Sequence, residues 1–374
     1  MKKLKLMTVI GTRPEIIKMS EVIKRCDEVF EHILVHTGQN YDYELNQVFF
    51  DDLGLREPDH YLNVVGIDLG ETMGNVLARS YALMREVRPD ALIVLGDTNS
   101  CLCVISAKRL KIPIFHMEAG NRCFDENLPE EVNRRIVDTT SDVNLCYSEH
   151  ARRNLAAMGC DPARTFVVGS PMREVLSAHA EKIDASDVLG RLGLEKGGYL
   201  LLSAHREENI DDERNFAEMV GAVNALAEEF GRPVLYSMHP RSRRFIEERG
   251  VEFHPLVRAH KPFGFHDYVQ LQRNAFCVVS DSGTLAEESA ILGFPAVSLR
   301  TSTERPEAID AGAFTLGSLS SDRVIQSVRV ETTLSSNSLS VPSYSNKDMS
   351  SEVIKIVQGF TSYVERSVWR RACL

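Results

Sequence analysis

Short apolar runs alternate along this chain with longer segments whose apolar positions recur every three to four residues. In the first half the runs are LKLMTVI (4–10), HILVHTG (32–38), ALIVLGD (91–97), IPIFHME (112–118), DVNLCYS (142–148) and TFVVGS (165–170). Nearly continuous apolar runs of that length fit strands buried on both faces. Residues 71–87 and 149–158 carry helical periodicity between them. The rhythm predicts βαβ units, with helices on both faces of a parallel sheet. It pauses after Ser170, where residues 171–198 are polar and helical and read as a connection. It restarts with YLLLSAH (199–205), PVLYSMH (233–239), FCVVSDSG (276–283) and PAVSLR (295–300). The expected fold class is therefore α/β, with two Rossmann-like doubly wound domains facing a central cleft. Residues 1–170 form the first domain and 171–352 the second, and a closing helix over 353–374 completes the first. The Ser- and Asn-rich stretch 334–351 reads as a loop.

The chain has 374 residues, of which 43% are hydrophobic and 26% charged, as in ordinary globular proteins. A net charge of −10 argues against a broad basic face for nucleic acid, while leaving room for a local cationic pocket. No apolar run approaches the ~20 residues a membrane helix needs. The opening MKKLKLMTVIGTRPE has lysines before apolar residues, but the run is short and no small-residue cleavage site follows, so it reads as a first strand rather than a signal peptide. The eight cysteines are scattered, and Cys101 and Cys103 are too close together for zinc spacing. Reduced thiols and a cytoplasmic location follow as expectations.

In open α/β sheets ligands bind beyond the carboxyl ends of the strands, and the unusual residues collect there. Gly11 permits a tight turn after the first strand, Pro14 suits a first helical turn, and Arg13 and Lys18 stand near N–H groups that attract anions. The competing reading is a solvated basic turn. Asp97 ends the third strand candidate, with Thr98, Asn99 and Ser100 as candidate caps, and Glu118 ends the next. Two carboxylates at neighbouring strand ends suit acid and base work. For Asp97 the competing reading is a turn or capping residue.

The stretch HMEAGNRCFDENLPEEVNRR (116–135) crowds acids and arginines together without metal-ligand spacing. Within it, Glu130–Arg134 and Glu131–Arg135 are spaced i,i+4, and such surface pairs contribute about 0.3–0.5 kcal/mol each. Val132 and Ile136 define one helix face. Glu131 and Arg135 flank that face as a structural pair, and the Glu130 pair points away, toward solvent or a cleft.

In the second half His205 follows a strand, with Arg206 and Glu207 next, and His239 and Arg241 form a second such site. VVSDSGTLAEES runs from strand into helix through Ser282, Gly283 and Thr284, whose N–H and hydroxyl groups can cradle a diphosphate. Glu288, one turn into that helix, can take the two hydroxyls of a ribose. Arg300, Arg305 and Glu307 add further polar groups for an anionic ligand.

GTRPEIIKM, GDTNS, HMEAGNR…LPEEVNRR, AHREENID, SDSGTLAEES and TERPEA occur in an order that resembles the non-hydrolysing UDP-N-acetylglucosamine 2-epimerases, over residues 1 to about 320. The chain looks closest to the capsule and O-antigen branch that makes UDP-N-acetyl-L-fucosamine from UDP-2-acetamido-2,6-dideoxy-L-talose. The resemblance implies a B-type glycosyltransferase-like pair of domains, a homodimer, and no metal or nicotinamide cofactor. It implies that Asp97, Glu118 and Glu130 are the catalytic carboxylates, acid and base unassigned among them, with His205 and Arg134 beside them. It implies that Arg13, Lys18, Ser282, Gly283, Glu288 and Arg305 hold UDP, with Tyr268 where many members stack a Phe on uracil; His239 and Thr284 join this UDP set. The reaction eliminates UDP across C1–C2 to a 2-acetamidoglycal, then adds it back with the proton on the other face.

Two departures stand out. Gln39 is followed by Asn40 where substrate-activated members carry a Gln-His pair, and SYSNKDMSSEV replaces a glycine-containing loop. The competing functions are a B-type glycosyltransferase, a hydrolysing epimerase and a nucleotide-sugar sensor. A nicotinamide-dependent 4-epimerase is disfavoured by the absence of GxGxxG and Tyr-x-x-x-Lys.

Overall fold

The computed structural model describes residues 3–38, 43–334 and 340–371. The chain divides into two compact units, residues 1–178 with 343–374, and residues 179–342. In chain order the first unit carries β1 (Lys5–Ile10), α1 (Arg13–Val29), β2 (Glu31–His36), α2 (Tyr43–Leu53), β3 (His60–Tyr61), α3 (Leu69–Val87), β4 (Ala91–Leu95), α4 (Cys103–Arg109), β5 (Ile114–Met117), α5 (Pro129–Thr140), β6 (Val143–Cys146), α6 (Glu149–Ala157), β7 (Thr165–Val167) and α7 (Met172–Ala178). The second carries α8 (Ala180–Asp184), α9 (Val188–Leu192), β8 (Leu200–Ser203), α10 (Glu207–Ile210), α11 (Glu213–Phe230), β9 (Val234–Ser237), α12 (Pro240–Glu248), β10 (Val257–His260), α13 (Phe265–Asn274), β11 (Cys277–Ser280), α14 (Leu285–Leu292), β12 (Ala296–Ser298), α15 (Pro306–Asp310), β13 (Thr315–Leu316) and α16 (Ser321–Leu334). The chain then rejoins the first unit with α17 (Met349–Ser367).

Both sheets are wholly parallel. The first runs β3-β2-β1-β4-β5-β6-β7 and the second β10-β9-β8-β11-β12-β13. Each therefore reverses direction once, between β1 and β4 and between β8 and β11. At such a switch point the two connections leave on opposite faces and open a crevice beyond the carboxyl ends of the strands. Apolar runs place the inner strands: β4 is buried at every position, as is β11. Val9, Val35, Leu92, Val94 and Ile114 join one core with α3 and α4, and Leu200, Leu202, Val234, Val279 and Val297 another with α11 and α16.

Local sequence sets the helix ends. Asp68 caps α3 by accepting from Glu71 N, and Asp212 caps α11 by accepting from Asn215 N, each at 2.8 Å. Gly231 ends α11 in the left-handed conformation. The boundary between units falls after Ala178 rather than near residue 170. The reason is packing: the Glu174 carboxylate on α7 accepts from Ser350 N at 2.8 Å and from Ser350 Oγ at 2.5 Å. The same contact draws the chain back before residue 352, so 343–352 belong with the first unit and α17, packed on α1, starts earlier than the expected helix. Three edge strands, β3, β10 and β13, were not anticipated from the apolar runs. The expected loop over 334–351 holds a 3-10 turn, Pro342–Tyr344, and the start of α17; 335–339 lie outside the described residues.

Candidate active site

Beyond β1 the backbone passes so close to its neighbours that Gly11 is required by space rather than by turn geometry. A Cβ there would lie 2.0 Å from Thr37 Oγ1 and 2.1 Å from Ser100 Oγ, two hydroxyls that bond each other at 2.7 Å. Two N–H groups of this turn are already occupied. Glu15 Oε2 accepts from Gly11 N at 3.0 Å, Thr12 N at 2.7 Å and Thr12 Oγ1 at 2.8 Å, while Oε1 accepts from Thr98 Oγ1 at 3.0 Å. Burial pushes the Glu15 carboxyl up to about 7 against the pull of these donors. Pro14 stands in the first turn, as read, and the Arg13 guanidinium lies over the Phe49 ring at 5.5 Å.

Lys18, one turn further, turns toward the end of β5. Its Nζ lies 2.8 Å from Glu118 Oε2, and both side chains are over 90% buried. Tyr147 donates to the same oxygen at 3.1 Å, and Asn121 Nδ2 to Oε1 at 3.3 Å. Glu118 holds a φ of 63°, a left-handed conformation that costs a side-chain-bearing residue energy and persists only where the surroundings enforce it.

Asp97 follows Gly96, which takes a φ of 77° at the end of β4. Its carboxylate meets Arg134 Nε at 2.6 Å. Thr98 stands at the N-cap of a 3-10 turn, Asn99–Leu102, without a side-chain cap bond. Thr98 reaches Glu15, Ser100 reaches Thr37, and Asn99 Oδ1 accepts from Asn133 on α5 at 3.1 Å.

α5 corrects the expected helix face. Val132 is 47% exposed, and the buried side is mostly polar: Glu131, Asn133, Arg134 and Asp138, with Val137 the apolar member. Burial there follows ion pairing. Arg134 bridges Asp97 and Glu131, the latter at 3.2 Å, and the i,i+4 pair Glu131–Arg135 forms at 3.6 Å. Asp138 meets Arg122 at 2.6 Å and His116 Nδ1 at 2.9 Å. Burial pushes Asp138 up, but His116 and Arg122 outweigh it and hold the carboxyl below its ordinary value. Glu130, half-buried, sits in the first turn of α5. Asp97 and Glu118 thus each face a buried cation at adjacent strand ends.

The second unit builds its switch point differently. Asp281, fully buried after β11, accepts from His205 N and Arg206 N at 2.9 Å each and from Asn209 Nδ2 at 3.0 Å, all on Oδ2. His205 Nδ1 lies 3.2 Å from Oδ1, and the ring stands 6.2 Å from that of His239, so these two histidines do come together. Ser282 Oγ and Thr284 Oγ1 bond each other at 3.0 Å at the start of α14. A Cβ at Gly283 would lie 2.8 Å from Glu304 Oε1. Glu288 is buried and accepts from Gln272 Nε2 at 2.6 Å. The arginines expected to face an anion are drawn into buried pairs, Arg300 with Glu304 at 2.7 Å and Arg305, 1% exposed, with Glu287 at 3.2 Å. Glu307 is buried on α15, and Tyr268 is half-buried in the first turn of α13. The side chain of Arg241 and the whole of Gln39 and Asn40 lie outside the described residues.

Sequence reasoning missed Glu15, Tyr147, Gln272 and Glu287. Only Glu15 had a local signal, as the fourth residue of a Thr12-x-x-Glu15 capping box. Among the described residues no three His, Cys, Asp or Glu side chains gather as metal ligands, no helix is long and apolar enough to cross a membrane, and the cysteines are unbridged.

A family model described as UDP-N-acetylglucosamine 2-epimerase matches residues 24–358. A solved UDP-N-acetylglucosamine 2-epimerase from Rickettsia bellii is 43% identical, with a TM-score of 0.91 over 99% of this chain and 100% of that one. The Methanocaldococcus jannaschii UDP-GlcNAc 2-epimerase, solved in complex with UDP-GlcNAc and UDP, is 29% identical, with a TM-score of 0.90 over 95% and 100%. A relative from Pseudomonas aeruginosa, UDP-2,3-diacetamido-2,3-dideoxy-D-glucuronate 2-epimerase, is 33% identical over 331 residues, 87% of this chain and 92% of its own length.

Proposed function

The chain belongs to the UDP-N-acetylglucosamine 2-epimerase family, and from that membership we propose that it inverts C2 of a UDP-2-acetamido sugar without hydrolysing it, with UDP-N-acetylglucosamine as the leading substrate. The observation that carries the reading is the pair of carboxylate–cation contacts at neighbouring strand ends, Glu118–Lys18 and Asp97–Arg134, each made to a buried cation. The C2 proton is not adjacent to a carbonyl, so its direct removal is very hard. Expelling UDP from C1 as the proton leaves C2 gives a 2-acetamidoglycal, and re-addition of UDP returns the proton to the opposite face. The step needs proton carriers on two faces, which Asp97, Glu118 and Glu130 supply. Lys18 and Arg134 keep Glu118 and Asp97 anchored and charge-balanced. The leaving diphosphate needs preorganised donors, which the N–H groups and hydroxyls of Ser282, Gly283 and Thr284 can provide, with His205 fixed by Asp281.

The names of the relatives favour the D-gluco sugar over the 6-deoxy-L-talo sugar of the capsule branch. The test is to incubate each UDP-sugar with the protein alone in D₂O and follow C2 by NMR. UDP-N-acetylglucosamine gains deuterium at C2 and equilibrates with its manno epimer, with no net release of UDP. Faster exchange of UDP-2-acetamido-2,6-dideoxy-L-talose would reassign the sugar. Free UDP accumulating with free sugar would make the protein a hydrolase, and a requirement for an acceptor would make it a glycosyltransferase.

A further inference from the structure

Tyr147 follows β6, is fully buried, and has no role of its own in the chemistry proposed above. β6 lies beside β5 in register, Leu145 opposite Met117, so the chain just beyond β6 runs alongside Glu118. Its phenol donates to Glu118 Oε2 at 3.1 Å, and its ring carries the Lys18 ammonium 5.6 Å from its centroid. Lys18 reaches the same oxygen at 2.8 Å. The three groups form a closed triangle: carboxylate, ammonium and phenol, each touching the other two.

Their stiffness differs. Lys18 is a point charge on a long flexible stem. Tyr147 has two rotatable bonds and sits at the end of a buried strand, so it is the rigid donor of the pair. The carboxylate it meets is on a backbone held in a strained conformation. From this geometry we infer that Tyr147 is a positioning residue for the C2 proton transfer, fixing the Glu118 carboxylate directly through its hydroxyl and indirectly by seating Lys18 on its ring. The inference rests on the epimerase reading above and extends it to a residue outside the set of proton carriers. The titratable and charged groups that face Glu118 include Lys18 from α1 and Tyr147 from the end of β6, with Asn121 in its own loop.

Tyr147→Phe keeps the ring under Lys18 and removes only the O–H. In the D₂O exchange assay its kcat falls on the order of tenfold, as loss of a hydrogen bond to a charged group implies, while KM and UDP affinity stay within about twofold. The limb of the rate profile governed by Glu118 moves up by about one pH unit, because the ionised form loses a donor. Placing 3-fluorotyrosine at 147 gives a more acidic phenol of nearly the same shape and shifts that limb the other way. This second variant keeps the test decisive if the Phe variant folds poorly. A Tyr147→Phe protein with unchanged kcat and a superimposable pH profile, whatever its melting temperature, would overturn the inference, as would no shift with 3-fluorotyrosine. If the wild type itself exchanges no deuterium, it is the epimerase reading that fails instead.

Discussion

The two units share one strand order over six strands, to which the first adds β7, yet fill the crevice at its switch point in opposite ways. In the first, side chains of opposite charge meet at the strand ends: Lys18 with Glu118, Arg134 with Asp97 and Glu131, and Arg122 with Asp138. In the second, one carboxylate, Asp281, gathers backbone N–H groups, an amide and a histidine, and the arginines pair behind it with Glu287 and Glu304. A scaffold of parallel strands supplies a place for chemistry but not its kind. Paired charges at strand ends suit proton carriers held in fixed positions. A loop pinned by a buried acid suits a rigid cradle of N–H and hydroxyl donors for an anion.

Substitution can break this contrast. The largest effect on the fold is expected from Arg305→Met, which strands Glu287 without its guanidinium; losing one partner of a buried pair costs about 3–5 kcal/mol. Denaturant unfolding should register that loss. If stability were unchanged and only UDP affinity fell, Arg305 would be a ligand contact, as the family resemblance implies, rather than a structural one. Asp281→Asn comes next. Removing a charged acceptor shared by three donors weakens UDP binding by about 1.5–3 kcal/mol through the loosened His205–Arg206 loop, readable by calorimetry. An affinity equal to wild type would remove Asp281 from the cradle.

The last prediction concerns pH. Glu15 has a folded value of about 7 against an ordinary 4.5, so the folded state binds its proton more tightly. Its contribution is present at low pH and is lost as pH rises from 4.5 toward 7. Glu15→Gln removes this term, so its melting temperature should gain on that of the wild type across the same interval. Parallel curves for the two proteins would place the Glu15 carboxyl at an ordinary value.

The inner strands were legible because burial on both faces leaves an unbroken apolar run. β3, β10 and β13 were not, since they are short edge strands: VRAH in β10 has no fully buried position, and β3 and β13 span two residues each. Asp97 and Glu118 were legible as carboxylates just past apolar strands. Their partners were not, because Lys18 and Glu118 are 100 positions apart and only the sheet brings them together. The face of α5 was misread for the same reason. Periodicity assumes that valine goes inside, but here Glu131 and Asp138 find buried arginines and Val132 is left outside. The pairing of Arg300 and Arg305 was hidden as well, because sequence shows their charge and conceals Glu304 and Glu287.

The central claim is that the carboxylates of the first unit move the C2 proton and do not bind UDP. It is tested most directly by deuterium uptake at C2 in Glu118→Gln under saturating UDP-N-acetylglucosamine. The expected result is uptake reduced by about 10²–10⁴-fold in a folded protein that still binds UDP with wild-type affinity. Undiminished uptake, or uptake lost only in step with UDP binding, would contradict it.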